Sequence, residues 1–161
     1  MLFFTPMNRR ALSVLLVSLW ATVLSASALE IVHVWPGFRT AESFESIGEF
    51  FGHEEHRGGR LLLRSQPVER SGFYFLTRLK SPEAIADAEI RLDVILPGSP
   101  TPKTYLYATD LPAGASVLQV GVTGADWPDA KIRPLAWRLQ VVERSTRRPL
   151  AETQSFLWSS R

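Results

Sequence analysis

His53-Glu54-Glu55-His56 is the densest group of metal-capable side chains in this sequence. Imidazole nitrogen with carboxylate oxygen suits zinc or another borderline ion, with His53 and His56 as ligands and a distant residue such as His33 completing the shell. The spacing departs from that of a zinc-hydrolase helix, which needs histidines at i and i+4 with glutamate at i+1 so that both rings converge on one ion. Here they stand at i and i+3, and Gly52, Gly58 and Gly59 oppose a helix running through them. The cluster reads first as a solvated polar loop and second as a metal site, and no cofactor is expected.

Nucleophilic chemistry has less to draw on. The sequence has no Gly-x-Ser-x-Gly elbow to expose a strained serine and contains no cysteine. Ser116 follows Gly114 and Ala115 at the start of a strand-like run, as a turn hydroxyl would. Glu54 with Glu55, and Asp126 with Asp129, are pairs of carboxylates, but a glycosidase needs two acids facing each other across a substrate, and adjacency in sequence does not supply that. Asp126-Trp127-Pro128-Asp129 lacks the dense oxygen ligands of a calcium loop. Gly58-Gly59 lacks the following Lys-Ser/Thr of a phosphate loop.

Aromatic residues are the remaining candidates. Trp127 lies in a Gly/Asp/Pro loop and Trp35 just precedes Pro36-Gly37. With Tyr105 and Tyr107 they form the candidate ligand surface, since an exposed ring offers a flat apolar platform with a polar edge. The competing expectation is that loop tryptophans fold back over the ends of the domain. Trp137 and Trp158 fall in register with apolar positions and are expected in the core.

The elements that would position these residues are mostly strands. Ala88, Ile90, Leu92, Val94 and Leu96 alternate with Glu89, Arg91 and Asp93, the two-residue period of a half-buried strand. Leu135, Trp137, Leu139 and Val141 repeat the pattern, as do Phe73, Phe75 and Leu79, then Leu118, Val120 and Val122, then Leu150, Phe156 and Trp158. Weaker strand signals run over residues 30–35, 60–66 and 103–109, giving about eight strands. Pro97-Gly98-Ser99-Pro100-Thr101-Pro102, Pro112-Ala113-Gly114, residues 124–129 and Ser145-Thr146-Arg147-Arg148-Pro149 punctuate them. The last predicts a C-terminal hairpin. One segment has helical spacing: Phe44, Ile47, Phe50 and Phe51 recur with Glu42, Glu45 and Glu49 between them, predicting a helix over 41–51 that Thr40 begins and Gly52 ends.

At the N-terminus, Arg9-Arg10, an uncharged and mostly apolar run from Ala11 to Leu24, and Ala26-Ser27-Ala28 predict a secretory signal peptide over residues 1–28. The apolar run falls short of the ~20 residues needed to span a bilayer, so cleavage is favoured over an anchor, and membrane attachment is expected only through an uncleaved signal segment. Residues 29–161 suffice for one domain. Arg9 and Arg10 account for the whole formal charge of +2, so the chain after the signal is formally neutral. That argues against nucleic acid as a partner, which needs a sustained basic surface. Stability rests on burial of apolar area without disulfides.

Short alternating strands without intervening helices favour an all-β, antiparallel sandwich with one short helix. Over Arg60 to Trp158 the pattern resembles immunoglobulin-like and fibronectin type III-like sandwiches of seven or eight strands, without a family-specific motif. Because such folds host unrelated activities, the resemblance transfers no site residue. The expectation is a non-catalytic interaction or structural module of a bacterial-type cell envelope, periplasmic or secreted, with a protein or envelope component as partner. A carbohydrate-binding domain is the alternative, and a metal-dependent enzyme a more distant one.

Overall fold

Alternation in the sequence becomes two facing sheets because each strand has one apolar side to hide. The computed structural model describes residues 28–44 and 60–159. Eight strands occur in chain order: β1 (Glu30–Arg39), β2 (Arg60–Arg64), β3 (Gly72–Ser81), β4 (Ile85–Ile95), β5 (Lys103–Leu111), β6 (Gly114–Thr123), β7 (Ala136–Glu143) and β8 (Arg148–Gln154). A 3₁₀ turn at Gly124–Asp126, a short helix, α1 (Phe156–Ser159), and a helical stretch at residues 42–44 complete the described elements.

One sheet has the order β1-β3-β6-β2 and the other β5-β4-β7-β8. The chain changes sheet at the proline-bearing corners Pro82-Glu83-Ala84 and Pro112-Ala113 and again after β6. This is the layout of an immunoglobulin-like sandwich. One pairing departs from the expected antiparallel pattern: β2 runs parallel to β6, with Arg60 opposite Val117 and Arg64 opposite Gly121. All other ladders are antiparallel.

Phe73, Phe75 and Leu79 of β3 and Leu118, Val120 and Val122 of β6 form one wall of the core. Ala88, Ile90, Leu92 and Val94 of β4 with Leu139 and Val141 of β7 form the other. Each large side chain here contributes about 1.5–3 kcal/mol by leaving water. The sheets are also tied by a polar bond, as the Tyr107 hydroxyl on β5 donates to the Gly121 carbonyl on β6 at 2.9 Å.

Gly121 also serves the opposite face of its sheet. Tyr74 is buried there, and a Cβ on Gly121 would stand 2.4 Å from its ring. Gly121→Ala should therefore cost about 1–3 kcal/mol by overpacking. A fall in urea midpoint at constant slope would register it; an unchanged midpoint would contradict the close packing.

Three expectations are corrected. The C-terminal strand does not run from Leu150 through Trp158: the ladder stops at Gln154, where the Ser155 hydroxyl accepts the Trp137 N–H at 3.0 Å and its carbonyl receives the Trp158 N–H at 3.0 Å. Phe156, placed in the core by alternation, lies in α1 and is 83% exposed. Leu135 is 51% exposed because β7 begins only at Ala136. The helix expected over 41–51 begins as expected, with residues 42–44 helical and the Phe44 N–H donating to the Ala41 carbonyl at 3.0 Å. Its remainder lies outside the described residues, as do His53, His56 and residues 1–27 of the signal peptide expected over 1–28.

Candidate functional site

Period two places His33 and Trp35 on one face of β1, away from the core, and antiparallel pairing sets Arg78 opposite His33 and Leu76 opposite Trp35. The His33 and Trp35 ring centroids are 4.3 Å apart at 51°. The Arg78 guanidinium lies 5.8 Å from the Trp35 ring, within range of a cation–π attraction. Trp35 remains 46% exposed. An edge strand thus presents an indole between a histidine and an arginine, able to stack on a flat group while two polar neighbours hydrogen-bond at its rim.

The other aromatic candidates turn inward. Trp127 is 6% exposed and stacks on Phe73 with centroids 4.6 Å apart. The 3₁₀ turn produces this, since the Trp127 N–H donates to the Gly124 carbonyl at 3.1 Å and swings the indole over the end of the core. Its Nε1 is buried without a hydrogen-bond partner among the described residues. Tyr107 is buried, and burial first of all pushes its hydroxyl pKa far above the ordinary phenol value. Tyr105 is half-buried, its hydroxyl 3.4 Å from the Asp126 carbonyl, and burial raises its pKa too. Trp127 and Tyr107 are therefore not ligand platforms, and of the four nominated residues only Trp35 is presented broadly to solvent. Trp137 is half-buried edge-on to Phe75, and Trp158 is half-buried under Arg138 at 4.9 Å.

A polar cluster that alternation alone did not single out lies on the outer face of the second sheet. Asp93 is cross-strand from both Thr104 and Arg138. It accepts from the Thr104 hydroxyl, from Arg138 at 2.8 Å and from Arg91 at 3.3 Å, which together leave it 2% exposed. Burial pushes the Asp93 pKa up, but the Thr104 hydroxyl and the two guanidiniums outweigh it and hold the carboxyl below the ordinary carboxylate range. The signal was present as an acid flanked by Arg91 in a strand, though its partners came from other strands. With its oxygens taken up by Thr104, Arg138 and Arg91, the carboxylate acts as a structural anion.

His33, the one described histidine of the three, stands beside Trp35. Among the described residues no three metal-capable side chains converge. Arg144 and Arg148 at the β7–β8 turn pair with Asp87 at 3.0 Å and Glu143 at 3.7 Å. No helix among the described residues is long and apolar enough to cross a membrane.

No family model matches the chain, and no curated protein matches it. Among solved structures it is similar to an immunoglobulin-like protein from Pseudomonas aeruginosa, with 15% identity over 81% of this chain and 96% of that one, at a TM-score of 0.35. The two-sheet architecture stands on the strand pairings themselves, and no residue correspondence is taken from the likeness.

Proposed function

We propose that this chain is an exported, non-catalytic binding module of the cell envelope, contacting a protein or envelope component through the Trp35 face of its first sheet. The observation that carries the reading is Trp35 itself: on a strand, between His33 and Arg78, it stays half in water while Trp127 and Tyr107 are buried. Tryptophan and arginine are both among the residue types enriched where protein contacts carry most of their energy. Export rests on the basic start, apolar run and small-residue site at the N-terminus.

A photo-crosslinking amino acid at position 35, in cells exporting the full chain, should give a discrete adduct that Arg78→Glu diminishes. The same probe at Leu106, exposed on the other sheet, should not give that adduct. Absence of any adduct from position 35, or one identical adduct from both positions, would overturn the reading. Because a flat ring beside a histidine and an arginine also suits a sugar face, a glycan array forms a second arm: saturable binding lost in Trp35→Ala would reassign the partner as carbohydrate.

A further inference from the structure

The two open sides of the sandwich are guarded unequally. On the side where β1 approaches β8, β1 carries Pro36 and an irregularity between Ile31 and His33, and β8 carries Pro149. Prolines and bulges on outer strands deny a template to an added strand. The opposite side is formed by β2 and β5, neither of which contains proline. Between them runs an open groove of about 340 Å³ lined by residues 60–64, Pro67 and Thr109.

The backbone of β2 is half used. The Ser65 N–H donates to the Gly121 carbonyl at 2.9 Å, and direction alternates along an extended strand, so Leu61 and Leu63 also turn their amides toward β6. The N–H and C=O groups of Leu62 and Arg64 therefore point out to the groove. Among the described residues no strand pairs with them. Leu61 and Leu63 contact the core, which leaves Arg60, Leu62 and Arg64 on the outer face.

Charge selects the occupant. A second copy paired antiparallel through β2 would set Arg60 against Arg64 of its partner, and like charges directly opposite repel. A strand with acidic side chains outward and apolar ones inward would meet the exposed Arg60 and extend the Leu61–Leu63 row, while the Arg64 guanidinium stays on the outer face of the sheet, donating to the Pro67 carbonyl at 3.2 Å and lying 5.8 Å from the Phe44 ring. We propose that the free edge of β2 accepts an extended peptide in which acidic and apolar residues alternate, by strand addition. This site is separate from the Trp35 face and goes beyond the binding role proposed there.

The test uses the full chain after signal removal and two labelled nine-residue peptides, alternating Glu/Val and alternating Lys/Val, followed by fluorescence anisotropy and amide hydrogen exchange. The acidic peptide should bind at least tenfold more tightly and slow exchange at Leu62 and Arg64. Arg60→Glu, at an exposed position, should weaken the acidic peptide and strengthen the basic one severalfold. Leu62→Pro removes an outward donor while sparing the β6 ladder, and should abolish binding with the near-UV circular dichroism unchanged. Equal or absent binding of the two peptides, or protection arising elsewhere, would overturn the proposal. So would slow exchange at Leu62 and Arg64 in the free chain, which would assign this edge to residues 45–59 or to a second copy.

Discussion

Trp127→Ala should lower stability by about 3–5 kcal/mol, the cost of removing a buried large aromatic and leaving a cavity. Trp35→Ala should change it by less than about 1 kcal/mol, as expected for a side chain on an outer face that stays half in water. Both tryptophans border loop-forming residues, and only their surroundings separate them. Trp127 lies flat on Phe73, which meets Phe75 edge-on at 5.4 Å, so its loss removes one member of a three-ring cluster from the end of the core. Because its indole nitrogen is buried without a partner among the described residues, Trp127→Phe should cost much less, under about 1.5 kcal/mol, as the smaller ring retains the contact with Phe73 and deletes an unsatisfied donor. Urea unfolding of the three variants at constant slope measures all of this. A Trp127→Ala penalty no larger than that of Trp35→Ala would mean that the indole does not seal the core in solution.

Asp93→Ala should cost about 2–3 kcal/mol at neutral pH, since it strands two guanidiniums and a hydroxyl that had converged on one carboxylate. The figure sits below that for a fully buried pair because Arg91 and Arg138 both keep contact with water. Its pH dependence has a definite sign. The folded carboxyl has a lowered pKa, so the contribution is fully present above the unfolded value of about 3.9 and is lost as pH falls through the folded value. In that acid window the unfolded chain binds the extra proton. The stability gap between wild type and Asp93→Asn should accordingly narrow as pH drops below about 4, and a gap independent of pH from 7 to 3 would contradict the charge network.

The strands were legible in the sequence because a half-buried strand writes itself as period two, and Ile90, Leu92 and Val94 do so without interruption. Pairing was less legible. Nothing in Arg60–Arg64 distinguishes a parallel partner from an antiparallel one, since only the route of the chain decides it. Alternation also continues past where the backbone stops: Phe156 and Trp158 keep the beat of Leu150, yet Ser155 ends the ladder by diverting its hydroxyl to the Trp137 amide. Among the site candidates, position next to a turn identified Trp35 and Trp127 equally. The fate of Trp127 depended on a 3₁₀ turn that three residues, Gly124 to Asp126, do not announce. Asp93 was visible only as a polar residue on an outer face, because Thr104 and Arg138, 11 and 45 residues away, reach it only once the sheet has formed.

The strand order has a consequence for how quickly each half assembles. In β5-β4-β7-β8, two of the three ladders join strands consecutive in the chain, and such hairpins close in roughly 1–10 μs. In β1-β3-β6-β2 no ladder does, and Arg60 meets a residue as distant as Val117. Non-local pairing of this kind sets folding in the millisecond-to-second range. Pulse-labelled refolding should therefore show the β4–β5 and β7–β8 ladders protected first, so that a chain interrupted midway would hold Thr104 against Asp93 before Arg138, 45 residues away, closed the network or β1 found β3.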